Sequence, residues 1–121
     1  MPPLPQHPLL ELAELGDVTL IRCRQSRIID EQQAQQIGDL FQVLSQDQRR
    51  KKCVVNLEGV EAMTSSMVGK LIALHKRLRA AGGQLVVCSV SPELCVFEIG
   101  GLKKVFDIRE NQAAAIMALQ S

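Results

Sequence analysis

Hydrophobic and polar positions along the chain alternate between short apolar runs and longer stretches with helical spacing. Two short runs, residues 9–15 and 18–23, flank a Gly-Asp pair, which predicts an opening β-hairpin. Continuous apolar segments at residues 53–57 and 84–88 are typical of strands covered by other elements. The chain therefore contains strand signals spread over most of its length.

Two amphipathic helices are predicted between these strands. Asp30 is a good N-cap residue, and the segment 31–45 after it places five apolar residues on one face: Ala34, Ile37, Leu40, Phe41 and Leu44. The segment 65–81 carries a second apolar stripe, formed by Val68, Leu71, Ile72, His75 and Leu78 and widened by Met67 and Leu74. A Gly-Gly pair at residues 82–83 ends this helix.

The C-terminal part of the chain continues the alternation of helices and strands. Ser91 followed by proline predicts a short helix to about residue 98, and residues 105–108 predict a last strand. Asn111 caps a final helix that carries Ala114, Ile116, Met117 and Leu119. The order β-β-α-β-α-β-α-β-α predicts an α/β fold with a mixed, mostly parallel sheet of about five strands and four helices.

Composition restricts the possible functions. The 121 residues fit one domain, predicted for residues 9–121 after a flexible Pro-rich tail at residues 1–8. A net charge of +1 and only three aromatic residues argue against nucleic-acid binding by a basic field or by base stacking. The basic run at residues 49–52 is predicted to be a solvated loop.

The cysteines indicate a reducing environment. Cys23, Cys53, Cys88 and Cys95 form no CxxC spacing, and most fall in apolar strand-like runs, as buried free thiols do. We expect no metal site and no cofactor. The sequence has no recognisable signal peptide and no apolar run long enough for membrane insertion, so a cytoplasmic location is expected.

Several segments together carry a resemblance to a known family. They are residues 54–60, residues 63–66, residues 74–87 and residues 96–106, in this order and spacing. With them the chain resembles a STAS domain of the anti-sigma-factor antagonist family over about residues 9–119. The resemblance implies the STAS-type fold and a regulatory function by protein–protein binding, without enzymatic activity.

The resemblance also implies a phosphorylation site. In the family, a serine or threonine after an Asp at the start of the second helix is phosphorylated by a serine-protein kinase that is also an anti-sigma factor, and phosphorylation abolishes binding. That acceptor falls on Ser65. The family Asp position holds Thr64 and the family Gly position holds Met67. The residues alone leave two interpretations open: Ser65 is a phospho-acceptor, or Ser65 or Thr64 is a plain helix cap.

The predicted partner-binding surface lies around the starts of the two helices. It consists of Asp30, Thr64, Ser65, Ser66, Met67, Gly69 and Lys70. Ser66, Gly69, Lys70 and Ala73 are expected on the outward face of the second helix. His75 is interpreted as a packed, hydrogen-bonded residue at the edge of the core, because no nucleophile or carboxylate partner is apparent for a catalytic role.

Two functions follow. The first is an anti-sigma-factor antagonist in a bacterial partner-switching pathway, regulated through Ser65. The alternative is a non-phosphorylated STAS subunit that acts as a scaffold in a signalling complex with other STAS proteins, or in a transporter complex with an ATPase. Thr64 and Met67 favour the alternative, since they replace the residues that frame the acceptor in the family.

Overall fold

A five-stranded sheet forms the centre of the computed structural model. The structure describes residues 6–47, 50–92, 94 and 104–120. The strands are β1 (Leu10–Leu15), β2 (Val18–Cys23), β4 (Lys52–Asn56), β6 (Gln84–Cys88) and β7 (Asp107–Arg109), in the spatial order β1-β2-β4-β6-β7. β1 and β2 pair antiparallel as the predicted hairpin, and all other pairs in this sheet are parallel.

Three helices of the described residues cover the two faces of the sheet. They are α1 (Glu31–Gln46), α2 (Ser65–Ala80) and α3 (Gln112–Gln120). The buried side chains of α1 and α2 pack together with one face of the central strands, whereas Ala115 and Leu119 of α3 pack with Val54 and Val86 on the other. The predicted α/β fold with a mostly parallel sheet is confirmed, and the predicted helix at residues 91–98 falls mostly outside the described residues.

The apolar pattern predicts the first two helices well. The buried residues of α1 are the five that the helical spacing places on one face. In α2 the buried set is Met67, Val68, Leu71, Leu74 and Leu78, while Ile72 and His75 lie half-buried beside it. The face of α3 is predicted less well, because its buried residues are Ala115 and Leu119 and Met117 is 70% exposed.

Two very short strands are absent from the sequence-based prediction. β3 (Arg27–Ile28) and β5 (Ala62–Met63) pair in parallel as a separate two-stranded sheet. Each contains only two residues, so neither has room for the alternating pattern that identifies a strand. β5 directly precedes the N-terminal cap of α2, and one residue separates β3 from the cap of α1, so the two strands fix where α1 and α2 begin.

The expectation of a solvated basic loop at residues 49–52 is wrong for Arg50. This side chain is only 4% exposed, and its guanidinium forms ion pairs with Glu14 of the hairpin and with Asp47 after α1, the latter over 3.2 Å from Nε to Oδ2. Lys52 Nζ lies 3.0 Å from Asp17 Oδ2 at the surface. Two carboxylates of the opening hairpin segment, Glu14 and Asp17, and the nearby Asp47 therefore neutralise part of the basic run.

The thiols of Cys23, Cys53 and Cys88 are buried and free, as predicted, whereas Cys95 lies outside the described residues. Burial raises the pKa of Cys23 and of Cys53 to about 12. Within the part of the chain that the structure describes, no helix has the length and apolar character needed to cross a bilayer.

Candidate partner-binding surface

The short strands β3 and β5 bring the starts of the two long helices together. Ile28 pairs with Met63, and the backbone N–H of Thr64 donates a hydrogen bond to the Ile28 carbonyl over 3.2 Å. Because the strands run in parallel and each is followed by a helix, α1 and α2 begin side by side. Adjacent strands lie about 5 Å apart, so Asp30 and Ser65, each two residues beyond this pair, flank the same small region.

Asp30 caps α1, as the sequence predicts. Its side chain is exposed, and Oδ1 accepts hydrogen bonds from the backbone N–H groups of Gln32 and Gln33, over 2.7 and 3.3 Å. These bonds satisfy two of the N–H groups that have no partner within the helix. Glu31 adds a second carboxylate in the first turn, so the start of α1 is negatively charged.

Thr64, and not Ser65, caps α2. The Thr64 side-chain oxygen accepts a hydrogen bond from the backbone N–H of Met67 over 3.2 Å. Ser65 is the first residue of the helix and is exposed, and its hydroxyl makes no hydrogen bond with any other residue that the structure describes. The two roles that the sequence leaves open for Ser65 are thereby separated, since a neighbouring threonine performs the capping.

Met67 does not lie on this surface. Its side chain is completely buried in the core formed by α1, α2 and the sheet. The expectation that Met67 belongs to the partner-binding surface is wrong, because the third residue of α2 falls on the apolar face of the helix. The backbone N–H of Met67 is also occupied by the Thr64 cap.

The predicted outward face of α2 lines a groove against α1 instead of facing open solvent. The groove has a volume of about 260 Å³. Its lining residues are Ser66, Gly69, Lys70, Ala73 and Arg77 from α2, and Gln35, Gly38, Asp39 and Gln42 from α1. Ser66, Lys70 and Ala73 are half-buried, and Gly69 is exposed with open space where a side chain would begin.

The α1 side of the groove was missed by sequence reasoning. Lys70 Nζ donates a hydrogen bond to Gln35 Oε1 over 3.1 Å, and its aliphatic part passes over Gly38. A glycine inside an otherwise regular helical pattern is the signal that could have identified this close approach. The groove is polar and carries Lys70 and Arg77 on one wall and Asp39 on the other.

His75 lies at the core edge, as predicted. Its ring contacts Phe106 edge-to-face with a centroid distance of 5.5 Å. Burial lowers the pKa of His75, and the positive charge of Arg79 lowers it further. Nδ1 is buried and has no hydrogen-bond partner among the residues that the structure describes, so the expected polar contact of this histidine is not seen there.

The chemistry of this region favours binding. Within the described ranges, no group of three or more His, Cys, Asp and Glu side chains is arranged to hold a metal ion. The helix starts instead present one acidic cap, one free hydroxyl and a small polar groove. Such a surface is suited to recognition by another protein, with Ser65 accessible from outside.

Comparison with known proteins identifies relatives of this chain. A model of the STAS domain family matches residues 10–115. An anti-sigma F factor antagonist of Paenibacillus polymyxa is 29% identical over 76 residues, which cover 60% of this chain and 65% of that protein, less than two thirds of its length. A protein of Bordetella bronchiseptica named "putative anti-sigma factor antagonist BtrV" is 28% identical over 107 residues, covering 87% of this chain and 90% of its own.

Solved structures agree in fold. A STAS-domain anti-sigma-factor antagonist protein from Planctomyces limnophilus superposes with a TM-score of 0.80 and 25% identity, covering 93% of this chain and 98% of that one. The Bacillus cell fate determinant SpoIIAA in its phosphorylated form gives a TM-score of 0.70 at 22% identity, covering 90% of this chain and 97% of its own.

Proposed function

This chain belongs to the STAS domain family, and on that premise we propose that it is an anti-sigma-factor antagonist in a bacterial partner-switching pathway. Its partner is a serine-protein kinase that also acts as an anti-sigma factor. The names of the relatives from Paenibacillus and Bordetella support this assignment. The observation that carries it is the exposed Ser65 hydroxyl, which lies beside the start of α1 and has no structural duty within the described part of the protein.

Ser65 is the residue that we assign as phospho-acceptor. A kinase can reach its hydroxyl without disturbing the helix, because Thr64 provides the cap. A phosphate adds about −1.5 to −2 charge. The positive pole of α2 tolerates this charge, and the first turn of α2 contains no acidic residue. Phosphorylation therefore leaves the fold intact and acts on the surface that the partner contacts.

The effect on binding follows from the neighbouring charges. Asp30 and Glu31 already place two carboxylates at the start of α1. A phosphate on Ser65 concentrates further negative charge in the same region, and a protein interface that closes over it must remove water from all of these groups. The unphosphorylated protein is the form that binds the kinase, and modification releases it.

One observation favours the alternative of a scaffold that is not phosphorylated. Thr64 replaces the carboxylate that the family usually carries before the acceptor, and the replacement retains the capping bond but not the charge. In a scaffold the same helix starts contact another STAS protein or an ATPase permanently. The two functions differ in whether Ser65 accepts phosphate.

The deciding experiment uses the full chain and the candidate anti-sigma kinases encoded in the same genome. Each kinase is incubated with the protein and ATP, and phosphate is located by mass spectrometry. We expect one kinase to modify Ser65 in the wild type and in Ser66→Ala, and to leave Ser65→Ala unmodified. Ser66 is the matched control because it is the adjacent hydroxyl, half-buried in the groove.

Binding is then measured with the modified and unmodified protein. The antagonist function predicts a stable complex with that kinase before phosphorylation and its loss afterwards. If no kinase binds or modifies the protein, while it co-purifies with another STAS protein or a transporter ATPase, the scaffold function is correct and the antagonist function is wrong.

A further inference from the structure

Ile29 is a large apolar side chain exposed at the joint start of the two helices. It is 53% exposed, whereas its neighbour Ile28 is buried in the core. Ile29 is the first residue after β3, and in an extended backbone successive side chains point to opposite sides, so the residue that follows the buried Ile28 points away from the core. Ile29 lies between Ile28, which is tied to Thr64 by a backbone hydrogen bond, and the Asp30 cap.

The rest of the predicted surface offers little apolar area. Ser65, Ser66 and Gly69 are small, and Met67 is buried. Five large apolar side chains are exposed in the described ranges: Leu15, Ile29, Val43, Val105 and Met117. Ile29 is the member of this set beside Ser65, since the others belong to the hairpin (Leu15), the end of α1 (Val43), the residues before β7 (Val105) and α3 (Met117).

We propose that Ile29 is the hydrophobic anchor of partner binding and inserts into an apolar pocket on the anti-sigma kinase. This inference rests on the proposed function. Most binding energy at a protein interface comes from a few well-buried side chains, and an interface made only of small polar residues lacks such a group. The anchor also gives a reason for the effect of phosphorylation, because a dianion beside an apolar contact loses its hydration when the interface closes.

Val43 provides a matched control. It is 55% exposed, and it lies 13 residues beyond the Asp30 cap on the same helix, roughly 20 Å along the axis at 1.5 Å per residue. Replacing either side chain with serine removes similar apolar area from the surface without touching the core. The two variants therefore differ in the position of the substitution but remove a similar amount of exposed apolar surface.

The test measures the dissociation constant for the unphosphorylated full chain and the kinase that modifies Ser65, by isothermal titration calorimetry. We expect Ile29→Ser to raise Kd about tenfold, as burial of a half-exposed isoleucine implies. Ile29→Val is expected to restore most of the affinity, and Val43→Ser to leave Kd within about twofold. The heat-capacity change on binding is expected to become less negative in Ile29→Ser, since less apolar surface is buried.

The outcomes separate this inference from the function on which it rests. If the wild type binds the kinase and Ile29→Ser binds equally well, or Val43→Ser loses as much, the anchor is wrong and the antagonist function stands. If the wild type binds no such kinase, both are overturned. Denaturation of each variant shows whether a loss of binding comes from unfolding, and a folded Ile29→Ser with weakened binding supports the anchor.

Discussion

Lys70 lies directly over Gly38, so that a β-carbon at position 38 would come within 2.6 Å of Lys70 Cδ. In Gly38→Ala the lysine must move away, and its hydrogen bond to Gln35 breaks. We expect the free energy of unfolding to change by less than about 1 kcal/mol in chemical denaturation, because the helix propensity of alanine offsets the loss of an exposed contact.

Replacing Gly83 with alanine is expected to affect stability more than replacing Gly38 does. A β-carbon at position 83 would collide with the backbone carbonyl group of Lys51, and its distance to the carbonyl carbon would be 2.9 Å. The backbone of Lys51 cannot rotate away from this contact, whereas the side chain of Lys70 can. The same carbonyl accepts a hydrogen bond from Gln84 over 2.7 Å. Gly83→Ala is therefore expected to lose at least about 2 kcal/mol of stability. Equal effects of the two substitutions would contradict this account of the glycines.

Thr64 and Ser65 are expected to differ in their contribution to stability. Thr64→Ala removes the hydroxyl that accepts the Met67 N–H, and we expect it to lower the free energy of unfolding by about 1 kcal/mol. Ser65→Ala removes an exposed hydroxyl and is expected to change stability by less than about 0.5 kcal/mol. Urea denaturation of both variants measures the difference. A larger loss of stability in Ser65→Ala than in Thr64→Ala would show that Ser65, and not Thr64, caps the helix.

Arg50 is expected to be the charged residue on which the fold depends. Arg50→Met keeps the aliphatic part but leaves Glu14 and Asp47 without the guanidinium, at a site where the arginine is nearly inaccessible. We expect a loss of about 2 kcal/mol in thermal or urea unfolding, below the value for a fully buried pair because both carboxylates are partly exposed. Lys52→Met is the control, since its ion pair with Asp17 is exposed to solvent, and we expect this variant to unfold almost as the wild type does.

His75 is expected to make the folded protein less stable in mild acid. Its pKa in the folded state lies below the ordinary value of 6.5, so the unfolded chain takes up a proton at a higher pH than the folded chain does. The free energy of unfolding therefore falls as the pH decreases below about 6.5. In His75→Gln this decline is expected to become shallower between pH 7 and pH 5. If the free energy of unfolding of His75→Gln falls with pH as steeply as that of the wild type, the histidine has the same pKa in the folded and unfolded states and this account is wrong.

Structural features that depend on the residue pattern within one helix, strand or hairpin were predictable from the sequence. The buried face of α1, the hairpin and the residues of β6 agree with the apolar spacing, because each depends on a regular period over several residues. The position of Ser65 at the start of α2 was predictable for the same reason, as it follows the strand signal of β4 and precedes a strong helical stripe.

Features that depend on two distant segments were not predictable. Arg50 pairs with the nearby Asp47 and also with Glu14 of the hairpin, and nothing in a run of basic residues indicates the distant Glu14. The groove depends on Gly38 of α1 meeting Lys70 of α2. Met67 was placed on the surface through its position in a motif, although the helical period already assigns it to the core side.

In the short β3–β5 sheet, the groups that hold the helix starts together are distinct from the exposed side chains that we propose as partner contacts. Backbone groups, such as the Thr64 N–H and the Ile28 carbonyl, hold the two helix starts in place. The exposed side chains of Ile29 and Ser65 contribute nothing to that attachment. Gene duplication could therefore produce copies that exchange these side chains and acquire new partners, while the scaffold beneath them stays the same.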